Sequence, residues 1–304
     1  MISDNRTELQ PKLSFGGFQV ENAPDQLTED ALQILESTSR TFYIPISRLP
    51  AMLLTAVGSG YLCMRAIDEI EDHPDLDSNC KELLLRSISR TLQSAGNSLR
   101  NEDFLVTDPL FRGLLPEVTV RLGDWVRLAP STIAARIWDA TAAMADRMAS
   151  WVASNWSIQT ESDLDSYTFG VAGAVGLMLS DIWAWYDGTR TDRFEAIGFG
   201  RGLQSVNILR NREADQARGV DFFPCGWDTS CMQAYARRNL AYADAYMQGL
   251  PEGPVQDFCK IPLLLAYATV DAMEQGRSKL SRTEVNLLVE QTTSRRNGSA
   301  GSSI

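Results

Sequence analysis

Residues 51–72, AMLLTAVGSGYLCMRAIDEIED, constrain this chain more than any other stretch. Ala66, Ile67 and Ile70 make the segment an apolar helix. Asp68, Glu71 and Asp72 fall at i, i+3 and i+4 and stack three carboxylates on one face of it. Like charges packed this closely repel, and a carboxylate cluster inside an apolar helix needs a compensating cation. Arg65 lies one turn earlier. A hard divalent cation such as Mg²⁺ also removes the repulsion, because it takes carboxylate oxygens and commonly bridges to substrate phosphates. A solvated acidic helix end is the plain alternative on these residues alone.

The remaining text is helical in period almost throughout. Helices are expected at about 28–39, 50–73, 78–99, 115–127, 130–156, 161–187, 191–217, 228–248, 255–276 and 282–292. Asp77 or Ser78 caps the third, and Gly219 with Pro224 stops the seventh. Pro45 and Pro50 bracket a turn, and 100–112 reads as a loop. Gly170, Gly173 and Gly176 cost about 1 kcal/mol each against alanine in a helix, which predicts a kink or a close backbone approach. No run alternates like a strand and no repeat is visible. The expected architecture is one all-α domain over 26–292, helices around a central apolar cavity, with a flexible arm at 1–25 and a disordered Ser/Gly-rich tail at 293–304.

Composition narrows the function. The 304 residues carry a net charge of −11, which argues against nucleic-acid binding. An anionic substrate must therefore be attracted locally, by metal ions or a few placed arginines. Five scattered cysteines and the single histidine, His73, form no disulfide framework and no zinc pattern. There is no signal-peptide pattern, and the longest apolar runs, 172–179 and 261–270, are too short to span a bilayer. A cytoplasmic protein without a transmembrane segment is expected.

A second polar row lies at Asn207, Asn211 and Asp215, at i, i+4 and i+8 on one helix face. Each side chain offers an oxygen to a hard cation, although only Asp215 is charged. Arg210 and Arg218 flank the row and could grip phosphate oxygens through forked hydrogen bonds. A polar outer helix face is the alternative.

Four blocks, in order over residues 39–224, resemble the squalene synthase and phytoene synthase family. They are Ser39-Arg40-Thr41-Phe42, the acidic segment from Tyr61 to Asp72, the glycine-rich segment from Tyr167 to Gly176, and Leu203-Gln204 with Asn207-Ile208-Leu209-Arg210. The resemblance implies an all-helical isoprenoid synthase-like fold whose two acidic motifs face each other across an apolar pocket. It implies Mg²⁺ and an allylic prenyl diphosphate that ionises to a carbocation, with water excluded. By resemblance Asp68, Glu71 and Asp72 are metal ligands, to which the oxygen-bearing row Asn207, Asn211 and Asp215 is added as the second metal side. By resemblance Ser39, Arg40, Tyr61, Arg65 and Arg210 serve the diphosphate, with Arg218 added from its place beside that row, and Tyr167 stands near the reacting carbons. Asp68, Asp72, Tyr167 and Asp215 form the expected catalytic set.

The chain also departs from the family pattern. Asn211 stands where the family carries an aspartate, Ala214 where it carries an acid, and Val220 where it carries an arginine. Glu213 is present, one position out and about 100° away around the helix. The first acidic site is thus complete and the second depleted. On the sequence, this lopsidedness favours a single short, dimethylallyl-like diphosphate whose prenyl group passes to an electron-rich aromatic acceptor, a carbazole or indole, as in the family's aromatic prenyltransferase branch. Trp138, Trp151, Trp156, Trp183 and Trp185 could line such a pocket or simply pack the core. A one-substrate terpene cyclase is a variant. The alternatives are head-to-head condensation of two prenyl diphosphates, or a non-catalytic binding protein on the same fold.

Overall fold

The computed structural model describes residues 28–94, 99–277 and 280–299. The arm expected at 1–25, residues 300–304 of the expected tail, and the side chains of Arg40 and of 291–299 lie outside the described residues. The described residues form α1 (Glu29–Thr38), α2 (Arg40–Ile46), α3 (Ala51–Asp72), α4 (Ser78–Gln93), the short α5 (Pro109–Arg112), α6 (Glu117–Val120) and α7 (Leu122–Leu128), then α8 (Ala134–Ala153) and α9 (Glu161–Thr168). After a π-helical turn, Phe169–Gly173, come α10 (Ala174–Asp187), α11 (Arg193–Ala217), α12 (Thr229–Gly249), α13 (Pro254–Glu274) and α14 (Arg282–Ser299). No strand occurs among them, as the sequence predicts.

Helix α3 is the axis of the bundle. Its buried residues, from Leu53 through Ala56, Leu62 and Ile67 to Ile70, lie on every face, as suits a helix packed on all sides. Polar side chains tie it to its neighbours. The Ser59 hydroxyl donates to the Trp125 carbonyl at 2.7 Å, and the Thr119 hydroxyl donates to the Ala66 carbonyl at 2.9 Å. Helix α4 packs along α8, and α11 packs along α12.

The glycine-rich segment explains its own cost. A Cβ at Gly176 would stand 2.1 Å from the Ala196 carbonyl oxygen, and one at Gly200 would stand 2.1 Å from that of Ala172. Helices α10 and α11 therefore cross backbone against backbone, an approach that only glycine permits. The expected kink is the π turn between α9 and α10, a local widening of the helix.

Several boundaries differ from expectation. Pro45 sits inside α2, which the proline pair had suggested was a turn. The helix survives because Ser39 caps it, its hydroxyl accepting from the Phe42 N–H at 3.2 Å. Helix α4, capped by Asp77, ends at Gln93 rather than 99. The segment 100–112 carries short helical turns at Asn101–Asp103, Leu105–Thr107 and Pro109–Arg112. The stretch 115–127 divides at Arg121 into α6 and α7. Helix α14 continues past 292 to Ser299, since no proline or glycine interrupts 293–297.

Candidate active site

Three helices end at the same place. Helix α3 brings Asp68, Glu71 and Asp72 to its last turn, before His73 and Pro74. Helix α8 ends in a Schellman motif: the Trp156 N–H donates to the Trp151 carbonyl at 2.9 Å and the Asn155 N–H to the Val152 carbonyl at 3.0 Å. Asn155 (φ 52°) and Trp156 (φ 48°) both take the left-handed conformation, costly for a non-glycine residue and above all for a bulky one. Helix α11 ends the same way. The Val220 N–H donates to the Asp215 carbonyl at 3.0 Å, and Gly219 turns the chain with φ 84°. Each C-terminus contributes roughly half a negative charge at its end, so the backbone adds to the field of the carboxylates.

Each carboxylate here has a donor from the chain itself. Arg65 forks to Asp68 and Glu69. The Trp156 indole N–H donates to Glu71 Oε1 at 2.6 Å. Lys81 donates from Nζ to the Glu71 backbone carbonyl at 2.7 Å and lies over the Trp156 ring at 5.5 Å. Arg218 spans the two motifs: Nη1 donates to Asp72 Oδ1 at 2.7 Å and Nη2 to Asp215 Oδ1 at 2.6 Å. Asp72 of the first acidic motif and Asp215 of the second, 143 residues apart, thus meet on one guanidinium.

The electrostatics follow from crowding. Burial raises Glu71 to about 8, against the opposing hydrogen bond from Trp156. Burial and repulsion from Asp72 raise Asp68 to about 7, despite Arg65. Only 4% of Glu71 is exposed, whereas the Asp68 side chain keeps 35% of its surface, so water screens Asp68 more. Asp215 is raised by burial, against Arg218.

Tyr167 is buried among these acids, and its phenol lies well above its ordinary value through burial and the charges of Glu71, Asp72, Asp68 and Asp215. Its ring stacks on Phe222 at 4.6 Å and meets Trp151 edge-on at 5.7 Å. Farther up α3, Tyr61 packs on Phe42 at 5.8 Å, and burial raises its phenol while hydrogen bonding with Ser39 lowers it.

Apart from Ser39 and Tyr61, which pair with each other, the expected residues whose side chains are described divide into two groups. Arg65, Asp68, Glu71, Asp72, Tyr167, Asp215 and Arg218 converge on this end of the bundle. Asn207, Arg210 and Asn211 instead form a network of their own. Arg210 Nη2 and Asn211 Nδ2 donate to Asn207 Oδ1 at 2.8 and 3.0 Å. Glu213 and Ala214 face solvent, so the shifted glutamate does not replace the missing acid. The side chain of Arg40 lies outside the described residues. Of the five tryptophans, Trp156 reaches an acid, Glu71, and Trp151 reaches Tyr167 beside it. Trp183 packs on Phe258, Trp138 donates to the Val126 carbonyl and Trp185 to Thr132 Oγ1. Sequence reasoning missed Trp156 and Lys81 as partners of Glu71. Asn155, a favoured residue past a helix end, was the local signal for the turn that aims Trp156.

Carboxylate oxygens whose charges raise one another, at the meeting of three helix C-termini, are the donor chemistry of a hard cation. Arg65 Nε adds a buried donor that has no partner within the protein. Among the described residues no three acids converge at coordination distance, because Arg65, Trp156 and Arg218 hold them. The donor set fits Mg²⁺ in kind, provided that Arg218 gives way.

An all-helical bundle with two acidic motifs meeting at one end defines an isoprenoid synthase-type fold. The squalene/phytoene synthase family matches residues 35–227, and the chain belongs to that family. It is 29% identical to the squalene synthase of Schizosaccharomyces pombe over 83% of this chain and 61% of the relative. It is 28% identical to that of Eremothecium gossypii over 84% and 64%. The chain therefore spans about three fifths of the length of these relatives. A solved complex of TcSQS with the ligand BPH1237 superposes with a TM-score of 0.69 at 21% identity, covering 87% of this chain and 85% of that one, and shows the same fold.

Two expectations are corrected. Aromatic prenylation, with its carbazole or indole acceptor, is overturned by relatives named as squalene synthases. It was inferred from missing acids in the second motif, yet Arg218 still joins that motif to the first. The cytoplasmic assignment also fails. It rested on the scattered cysteines, the lack of a signal pattern and the lack of a spanning segment, whereas the helical run 161–187 contains an 18-residue window of mean hydropathy 1.3, long and apolar enough by length and composition to cross a membrane, with 44% of that window buried in the bundle.

Proposed function

We propose that this chain joins two prenyl diphosphates head to head. The observation that carries the reading is the Arg218 fork, which holds Asp72 of the first motif and Asp215 of the second on one guanidinium. That apposition suits two diphosphate groups handled side by side, and the relatives named squalene synthase agree with it. In this reading one allylic C–O bond breaks and its electrons leave with the diphosphate. The double bond of the second chain supplies the electrons of the new C–C bond, and a proton is lost.

Asp68, Glu71, Asp72 and Asp215 would hold Mg²⁺, which when bound neutralises the departing diphosphate as a Lewis acid. Arg65, through its unpartnered Nε, and Arg218 would grip phosphate oxygens. Ser39, Arg40 and Tyr61 would support the same group, while Asn207, Asn211 and Arg210 extend the second motif outward. Tyr167, stacked on Phe222 and edged by Trp151, presents aromatic faces that stabilise a cation by about 0.5–2 kcal/mol each and keep water away. Residues 26–292 form the catalytic domain in this reading.

The test is incubation with Mg²⁺ and farnesyl or geranylgeranyl diphosphate, followed by diphosphate release and product mass. The expected product carries two prenyl chains. Release of diphosphate with only one-chain products would overturn the assignment.

A further inference from the structure

We propose that Arg218 makes metal binding and diphosphate binding depend on each other by exchange of ion pairs. The proposal rests on the reading that this site takes a diphosphate. Arg218 is the C-terminal capping residue of α11, set in place by the turn at Gly219. Its two terminal nitrogens are committed to Asp72 and Asp215, which stand on either side of one planar group. While that fork persists, two of the four carboxylates at this end of the bundle are occupied.

A diphosphate offers a guanidinium more charge than a carboxylate, with the same forked geometry. Moving Arg218 onto phosphate oxygens releases Asp72 and Asp215 together. Two bare carboxylates then face each other across the width of a guanidinium, and a divalent cation relieves their repulsion. Lys81, held at 2.7 Å from the Glu71 carbonyl and close enough to Arg218 for the two cations to repel, favours the anion's arrival. The family arginine expected two residues later is Val220 here, and the guanidinium instead comes from the helix cap.

Two binding measurements on the whole chain decide it. Mn²⁺ alone is titrated by electron paramagnetic resonance, and inorganic diphosphate is titrated by calorimetry in chelator. Wild type, Arg218→Gln and Arg218→Lys are compared, with circular dichroism as the check on folding. Arg218→Gln is expected to tighten Mn²⁺ about tenfold and weaken metal-free diphosphate about tenfold, because the metal takes the carboxylate end of the ion pair and the diphosphate takes its guanidinium end. Arg218→Lys, a single point charge, is expected to fall between. A glutamine variant that weakens both ligands, or moves neither, overturns the exchange even if the wild type still makes a two-chain product. A wild type that binds neither Mn²⁺ nor diphosphate overturns the diphosphate reading itself, and the exchange with it.

Discussion

Glu71 is the residue on which the acidic end depends most. It is 4% exposed, and its one side-chain donor is the Trp156 indole. Its folded value, about 8, lies above the ordinary 4.5. The stabilising contribution is therefore complete below about 4.5 and is lost as pH rises through about 8. In metal-free buffer the protein should melt at a lower temperature at pH 8.5 than at pH 5.5. Glu71→Gln should remove most of that slope, a change on the order of a few kcal/mol at the alkaline end. A slope unchanged in the variant would assign it to other groups. Trp156→Phe takes away the indole donor and should cost about 1–3 kcal/mol in denaturant unfolding. Asp68→Asn should abolish diphosphate release while leaving the melting temperature near that of wild type. The three acids of α3 were legible because i, i+3, i+4 spacing is a local property. The Trp156 bond was not, because it joins residues 85 apart and depends on two left-handed residues.

At the scale of elements, sequence reading recovered the long helices and missed their edges. Helix α11 was legible at its C-terminal end, where Gly219 follows the last turn, while the Asp192 cap that starts it two residues after the expected 191 was not read. Helix α2 was hidden, because Pro45 reads as an interruption when the Ser39 cap that rescues it cannot be weighed. The glycines of 170–176 announced a close approach but not its partner. The backbone contact at Gly176 makes a sharp prediction. Gly176→Ala should destabilise the protein by about 1–3 kcal/mol or more, since the added methyl meets a carbonyl rather than a yielding side chain. Gly113→Ala, with nothing within 4 Å of the new carbon, serves as the neutral control in the same thermal scan.

For the whole molecule, charge and site oppose each other. A chain of net charge −11 repels an anionic diphosphate at long range and attracts it locally, through cations such as Arg65, Lys81 and Arg218. Added salt screens the distant repulsion before it weakens the close contacts. The kcat/KM for a prenyl diphosphate should therefore rise modestly from low to physiological ionic strength at fixed free Mg²⁺. A steep fall would show that local steering by the arginines dominates. The depleted second motif misled the functional reading because the sequence shows which acids are absent, and only the fold shows that an arginine from a helix cap stands between those that remain. The crossing at Gly176 and Gly200 carries one more consequence. With the first turns of α11 held backbone to backbone against residues 172–176, that helix is anchored at one end, and the last turns that carry Asp215 and Arg218 project from the anchor.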